Sequence, residues 1–222
     1  FSSGHDDHLV RLVDALAGIR TLLVLDAAGN VRISSRPELL GQNFSHRDYF
    51  ARPHRNPDAA RLFVSPPFKT VLGVWGISLS RVITDRNGQF AGIVSATLDP
   101  EYFTTLLASV RYAEDLRAVV IHGEGTVFRM IPEVPQVIGK NVALPDSFFS
   151  RHRASGRAEN LYDGTTYAAG EQRLVAFRNI DPPGVPMDIP LVAVVSRDPD
   201  AVFAAWQATV QTYGAAFALA TL

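Results

Sequence analysis

Ile19-Arg20-Thr21-Leu22-Leu23-Val24-Leu25 runs into Asp26-Ala27-Ala28-Gly29 and out through Asn30-Val31, a short apolar strand, a glycine turn and a return. The same phrase recurs as Leu116-Arg117-Ala118-Val119-Val120-Ile121, His122-Gly123-Glu124-Gly125 and Thr126-Val127. Gly41-Gln42-Asn43 is echoed by Gly139-Lys140-Asn141, Ser80-Arg81-Val82-Ile83 by Phe177-Arg178-Asn179-Ile180, and Leu98-Asp99-Pro100-Glu101 by Arg197-Asp198-Pro199-Asp200. Every echo lies 96 to 99 residues from its partner. The units of a solenoid are far shorter, so this period means a tandem pair of small domains. A chain of 222 residues has room for two, since a domain commonly takes about 100–150 residues.

Outward from the repeat, residues 5 to 18 read as a helix, with Leu9, Leu12, Val13 and Leu16 on one face. Strands are expected at Thr21 to Leu25, Val31 to Ser34, Leu62 to Ser65, Gly73 to Thr84 and Gln89 to Leu98. Asn87-Gly88 predicts the hairpin turn between the last two, because both residue types tolerate positive φ. Asp99 then caps a helix that Pro100 opens. The second copy repeats the plan: a hairpin from Ala118 to Met130 and a short helix near Asp146 to His152. Strands follow at Ala158 to Tyr162, Thr165 to Ala169, Arg173 to Ile180 and Leu191 to Arg197, then a helix from Pro199 onward. Each copy is thus an α+β unit, a five-stranded antiparallel sheet flanked by helices.

Several function classes drop out. Zero cysteines exclude disulfide scaffolds, thiolate zinc sites and cysteine nucleophiles. With 21 basic against 22 acidic residues there is no basic stripe for nucleic acid. The densest basic cluster, Arg151, Arg153 and Arg157, is followed by Glu159 and Asp163 and reads as a solvated face. His5-Asp6-Asp7-His8 has two histidines at i, i+3, but no further ligand is placed by the sequence, and it reads as a solvated terminus with a capping aspartate. No nucleophile elbow, P-loop or zinc-protease helix occurs. No cofactor, metal or catalytic group is expected. The apolar run Tyr213 to Leu222 is either an ordinary helix or the start of a membrane span, which needs about 20 such residues.

Gln42-Asn43-Phe44-Ser45-His46-Arg47-Asp48-Tyr49-Phe50 gathers polar and aromatic groups just after a loop. Its aromatics could simply pack on the sheet while Arg47 pairs with Asp48. Alternatively it is the lip of a pocket, with Arg47 as a fork for a carboxylate and Tyr49 as a hydroxyl donor. Strand parity adds a lining: Ile93, Ser95 and Thr97 share one face of their strand, and Trp75 and Ile77 share one face of theirs. An apolar wall with a few hydroxyls suits a small-molecule site. Trp75 and Ile77 could equally be core, and Arg81, on the same face, could pair with Asp85.

The order of motifs carries a resemblance over nearly the whole chain. Gly41-x-Asn43-x-Ser45-x-Arg47-Asp48-Tyr49-Phe50, Val64-Ser65-Pro66-Pro67, Gly73-Val74-Trp75-Gly76-Ile77-Ser78-Leu79-Ser80-Arg81 and Asn87-Gly88-Gln89-Phe90 through Asp99-Pro100-Glu101-Tyr102-Phe103 precede a degenerate second copy. Together they resemble the double-Cache (tandem PAS-like) extracytoplasmic sensor domains of bacterial histidine kinases, diguanylate cyclases and chemoreceptors. The resemblance implies an N-terminal helix over 1–18 that also mediates homodimerisation, and a membrane-distal ligand-binding domain over 19–112. It further implies a proximal domain over 113–198 and a helix over 199–222 descending to a membrane span. It implies that Arg47 and Tyr49 hold a ligand carboxylate, and with the strand faces above the expected ligand site is His46, Arg47, Tyr49, Ser65, Trp75, Ile77, Ser95 and Thr97. In similar dicarboxylate sensors a lysine stands where this chain has Thr97, and amino-acid sensors have an aspartate there. Amino-acid sensors also carry an arginine where this chain has Gly73. These departures point to a small, less charged ligand, a monocarboxylate or an amphipathic metabolite. The competing expectations are a dimerisation or interaction module without a ligand, and a soluble enzyme with an unfamiliar site. Aligning the copies sets Pro145 opposite Arg47, Ser147 opposite Tyr49, Gln172 opposite Trp75 and Ser196 opposite Thr97. The carboxylate-binding groups are absent from the second copy, so only the first is expected to bind ligand.

Overall fold

The computed structural model describes residues 3–70, 73–167 and 170–221, without the side chains of 3–7, 205 and 218–221. The histidine-aspartate cluster at 5–8, save for His8, and the end of the C-terminal apolar run therefore lie outside the described side chains. The first unit contains α1 (Ser3–Ala15), β1 (Ile19–Asp26), β2 (Val31–Ser34), α2 (Asp48–Arg55), β3 (Phe63–Val64), β4 (Phe68–Lys69), β5 (Trp75–Gly76), β6 (Ser78–Thr84), β7 (Phe90–Leu98) and α3 (Pro100–Ser109). The second contains β8 (Arg117–His122), β9 (Val127–Ile131), α4 (Phe148–Ser155), β10 (Glu159–Thr165), β11 (Gln172–Ile180), β12 (Leu191–Arg197) and α5 (Pro199–Thr221). Two five-stranded antiparallel sheets result, in the orders β2-β1-β7-β6-β3 and β10-β11-β12-β8-β9.

Local chemistry explains the joints. Asp99 accepts the Glu101 N–H at 3.0 Å and Pro100 opens α3. Gly88 takes φ 77° and closes the β6–β7 hairpin onto the Asp85 carbonyl. In the second unit Ser147 caps α4, and Gly156 ends it at φ 63°. Of the strand expected at Thr165 to Ala169, residues 168 and 169 lie outside the described residues. β10 runs on through Thr165, and Thr166 opens the turn that closes on Glu171. Among the described residues no helix is long and apolar enough to cross a membrane.

Each sheet curls its inner face over its own core. In the first, Leu23, Leu25, Val31, Phe44, Tyr49, Phe50 and Ile93 pack together under α2. In the second, Ile121, Val127, Met130, Phe149, Val175 and Phe177 do so under α4. A third cluster joins the units: Val64, Ile77 and Leu98 of the first meet Val120, Phe128 and Leu191 of the second. Hydrogen bonds reinforce this joint. Leu62 N–H donates to Pro186 O at 2.8 Å, and Asp188 N–H donates to Leu62 O at 3.0 Å. The Asp188 carboxylate accepts Val64 N–H at 2.7 Å. The second unit thereby covers the β3 edge of the first sheet, which would otherwise be an open pairing template.

Candidate ligand-binding site

Under α2, between the inner face of the first sheet and the loop that follows β2, lies a cavity of about 90 Å³. Its lining includes Arg20, Thr21, Arg36, Arg47, Tyr49, Phe68, Thr70 and Thr97. Arg47 is the N-cap residue of α2 and Tyr49 sits in its first turn, so both reach the cavity from one helix start. The Tyr49 ring packs 5.4 Å from Phe68, and the Arg47 guanidinium lies 5.7 Å from the same ring. Burial pushes the Tyr49 hydroxyl up, while the Arg47 charge opposes it. The phenol therefore stays protonated and can donate.

The charge around this cavity is positive. Three arginines and one glutamate line the cavity, a formal excess of two positive charges. Arg36 is engaged, donating to Thr21 Oγ1 at 3.0 Å and lying 3.5 Å from Glu38. The side chains of Arg20 and Arg47 make no hydrogen bond or ion pair among the described residues. The Thr70 hydroxyl is buried without a partner. Thr97 Oγ1 lies 2.9 Å from Ser78 Oγ. An unpaired buried hydroxyl is costly, and here the Thr70 hydroxyl shares one small space with the half-buried Arg20 and Arg47.

The structure brings Arg47, Tyr49 and Thr97 together and leaves the other expected residues elsewhere. His46 is exposed and tilts over Phe44, with centroids 6.5 Å apart. Ser65 and Ser95 are buried in the hydroxyl row beside the cavity. Ser65 Oγ accepts Ser78 N–H at 2.9 Å, and Ser95 accepts from Ser80 Oγ at 3.1 Å. Trp75 and Ile77 are not on the cavity wall. The expected strand Gly73 to Thr84 breaks between Gly76 and Ser78, and Ser78, not Ile77, pairs with Thr97. Ser78 and Ser80 thus share the inner face with Thr97 and Ser95, while Ile77 turns outward into the core between the units. The Trp75 ring lies against Gly139 of the second unit, where an added Cβ would meet it at 2.4 Å. Arg81 is exposed and donates to Ala60 O at 3.1 Å rather than to Asp85.

Sequence reasoning missed Arg20 and Arg36, which look like ordinary charges flanking a strand. Arg20 has the one available signal, since it stands beside Thr21 at the start of the repeated phrase. The structure also corrects the alignment of the copies. The helix N-caps are Arg47 and Ser147, so Ser147 matches Arg47 and Phe149 matches Tyr49.

No family model matches the chain, and no curated sequence is significantly similar to it. Solved structures are similar in fold. The extracellular domain of the inferred histidine kinase rpHK1S-Z16 superposes with a TM-score of 0.77 at 24% identity, over 91% of this chain and 80% of its own. The periplasmic sensory domain of the Campylobacter jejuni chemoreceptor Tlp1 gives 0.63 at 12% identity, over 91% and 87%. The ligand-binding domain of the Pseudomonas aeruginosa amino-acid chemoreceptor PctB, solved with L-Arg, gives 0.62 at 13%, over 95% and 85%. The chain shares its α+β, antiparallel-sheet fold with these extracellular and periplasmic sensor domains.

Proposed function

We propose that this chain is the extracytoplasmic sensory input domain of a transmembrane receptor, a double-Cache pair of PAS-like units that itself catalyses nothing. The distal unit, residues 19–112, binds a short organic acid, and the proximal unit, 113–198, relays the event toward the membrane. The observation that carries this reading is the pair of unpartnered guanidiniums, Arg20 and Arg47, with the Tyr49 and Thr70 hydroxyls, on one small cavity. Among the described lining residues the one carboxylate, Glu38, is next to Arg36, so an ammonium group has no free carboxylate to pair with. That favours an acid over an α-amino acid. An engineered cavity of about 150 Å³ just holds benzene, so a space of about 90 Å³ suits a short chain.

Helix α2 supplies the mechanical link. Arg47 and Tyr49 stand at its start, and Arg52, one turn on, holds Glu124 of the second unit at 2.6 Å and lies 3.8 Å from Asp188. A ligand that prefers one α2 position shifts the population of joint arrangements by its differential affinity. Helices α1 and α5 carry the output, α1 in a homodimer contact and α5 toward a membrane span and an output domain such as a kinase, cyclase or chemoreceptor module. On α5, Phe203, Trp206, Val210, Tyr213 and Phe217 are exposed at alternating spacings of three and four, a seam for another helix. That seam also favours the second reading, a pairing module without a ligand. A thermal-shift screen with short organic acids, amines and amino acids separates them. Stabilisation by acids alone supports the sensor; stabilisation by amines alone, or by nothing, contradicts it.

A further inference from the structure

The second unit holds a cavity of its own, about 110 Å³, between the inner face of β8, β11 and β12 and helix α4. Most of its wall is apolar, with Ile121, Met130, Phe149, Val175 and Val194 among the lining residues. Its polar residues include Arg117, Thr166, Arg173 and Ser196. The strand registers make the two cavities comparable. Thr97 pairs with Thr21 and Ser78 in the first sheet, and Ser196 pairs with Arg117 and Val175 in the second. Arg117 therefore replaces Thr21, and Arg173, two residues before Val175, replaces Gly76. Arg47, the cation at the start of α2, has no basic counterpart at the start of α4, and the cations of the second cavity, Arg117 and Arg173, stand on strands. Ser147 and Phe149 stand at the α4 positions of Arg47 and Tyr49.

One unusual feature is common to both. Thr70 and Thr166 each accept a hydrogen bond from a glycine a few residues on, Gly73 N–H on Thr70 O at 2.9 Å and Gly170 N–H on Thr166 O at 2.8 Å. Their hydroxyls are the two buried side-chain groups without a hydrogen-bond partner among the described residues, and both face a cavity. A buried hydroxyl that serves only packing would have a partner. Two guanidiniums stand at this end: Arg117 donates to Glu171 at 2.8 Å, and Arg173 lies 3.5 Å from the same carboxylate, with the Asp115 and Asp198 charges also acting on it. Arg173 is 5% exposed and also donates to Ser196 Oγ at 3.1 Å, so its charge is held at the cavity end rather than in solvent.

We propose that this proximal cavity is a second ligand site, for small branched or linear aliphatic monocarboxylates, with the tail among the valines, Met130 and Phe149 and the carboxylate toward Thr166, Arg117 and Arg173. The site is independent of the distal one: it shares no residue with it and needs no distal ligand. It also departs from the expectation that only the first copy binds.

Isobutyrate is a suitable probe, with isobutanol as its uncharged counterpart. The chain has two methionines; Met130 lines the cavity and Met187 packs at the joint between the units. In the intact chain carrying labelled methionine methyls, isobutyrate shifts the Met130 resonance saturably and leaves Met187 in place. The shift persists in Arg47→Ala, which disables the distal site. In Thr166→Val, an isosteric change at a hydroxyl with no partner to lose, affinity falls about threefold to tenfold, the value of one hydrogen bond. Absence of a Met130 shift at millimolar isobutyrate, or its loss in Arg47→Ala, overturns the proposal. Isobutanol binding as tightly as isobutyrate, or unchanged affinity in Thr166→Val, overturns the carboxylate assignment.

Discussion

Arg52 is the side chain through which α2 grips the second unit, and its removal has a calculable cost. Its guanidinium is 23% exposed and bonds Glu124 at 2.6 Å, while Asp188, at 3.8 Å, is only 11% exposed. A hydrogen bond to a charged partner contributes about 1.5–3 kcal/mol. Glu124 is 43% exposed, and solvent screening weakens its share. Arg52→Met keeps the aliphatic stem and should cost about 1–2 kcal/mol. For a chain of this length about 1 kcal/mol lowers the melting temperature by roughly 2–4 °C, so the expected loss is about 2–8 °C. Thermal unfolding of wild type, Arg52→Met, Glu124→Gln and the double variant forms a cycle. Residues in direct contact should couple by at least about 0.5 kcal/mol. Costs that simply add would show that α2 and the second unit are not joined through this pair, and the proposed relay would lose its path.

Gly139→Ala is expected to be severe. It places a Cβ 2.4 Å from the Trp75 ring at a position with φ 80°, combining left-handed strain of about 1–2 kcal/mol with overpacking of about 1–3 kcal/mol. Adding Trp75→Leu should recover the overpacking part in a denaturant melt, and no recovery would remove Trp75 from the joint. Asp115 ties the root of α5, accepting from Arg197 at 2.6 Å and from Asp198 N–H at 2.9 Å. The Arg197 hydrogen bond is the main reason its carboxyl is lowered to about 2. A depressed folded-state pKa stabilises the fold above the ordinary aspartate value and loses that effect as pH falls toward 2. Asp115→Asn should therefore be less stable than wild type at neutral pH, with the two acid-unfolding curves converging near pH 2; parallel curves would contradict the assignment.

Much of the architecture could be read from short-range chemistry. The repeated strand-turn phrase, the Asn87-Gly88 turn and the Asp99-Pro100 helix start each depend on a few adjacent residues, and the structure has a hairpin or helix at each. What depended on register was not readable. Alternation along Gly73 to Thr84 groups Trp75 with Ile77 but does not say which face meets the cavity, and the pairing of Ser78 with Thr97 puts the serines there instead. Ile77 then serves the joint, and the joint itself, built by Pro186 to Asp188 on the β3 edge, has no local sequence mark. Arg47 and Tyr49 stood out because aromatic and charged residues crowd a helix start. Arg20, Arg36 and Arg173 did not, since a charge in or beside a strand looks solvated until the opposing strand and turn are placed. The second cavity was hidden for the same reason: its cations, Arg117 and Arg173, stand on strands, where aligning the α2 and α4 segments could not find them.

The central claim, that the distal cavity holds a carboxylate between Arg20 and Arg47, is tested most directly by titration calorimetry with pyruvate and lactate. Their α-oxygens suit the hydroxyls of Thr70 and Thr97, and their size suits the cavity. Wild type should bind at least one of them saturably, and Arg47→Ala should weaken that binding about tenfold to a hundredfold, the effect of one charge-assisted hydrogen bond. Gln172→Ala, an exposed position in the second unit, should bind as wild type does. No saturable heat with either acid, or binding abolished in Gln172→Ala and untouched in Arg47→Ala, would contradict the account.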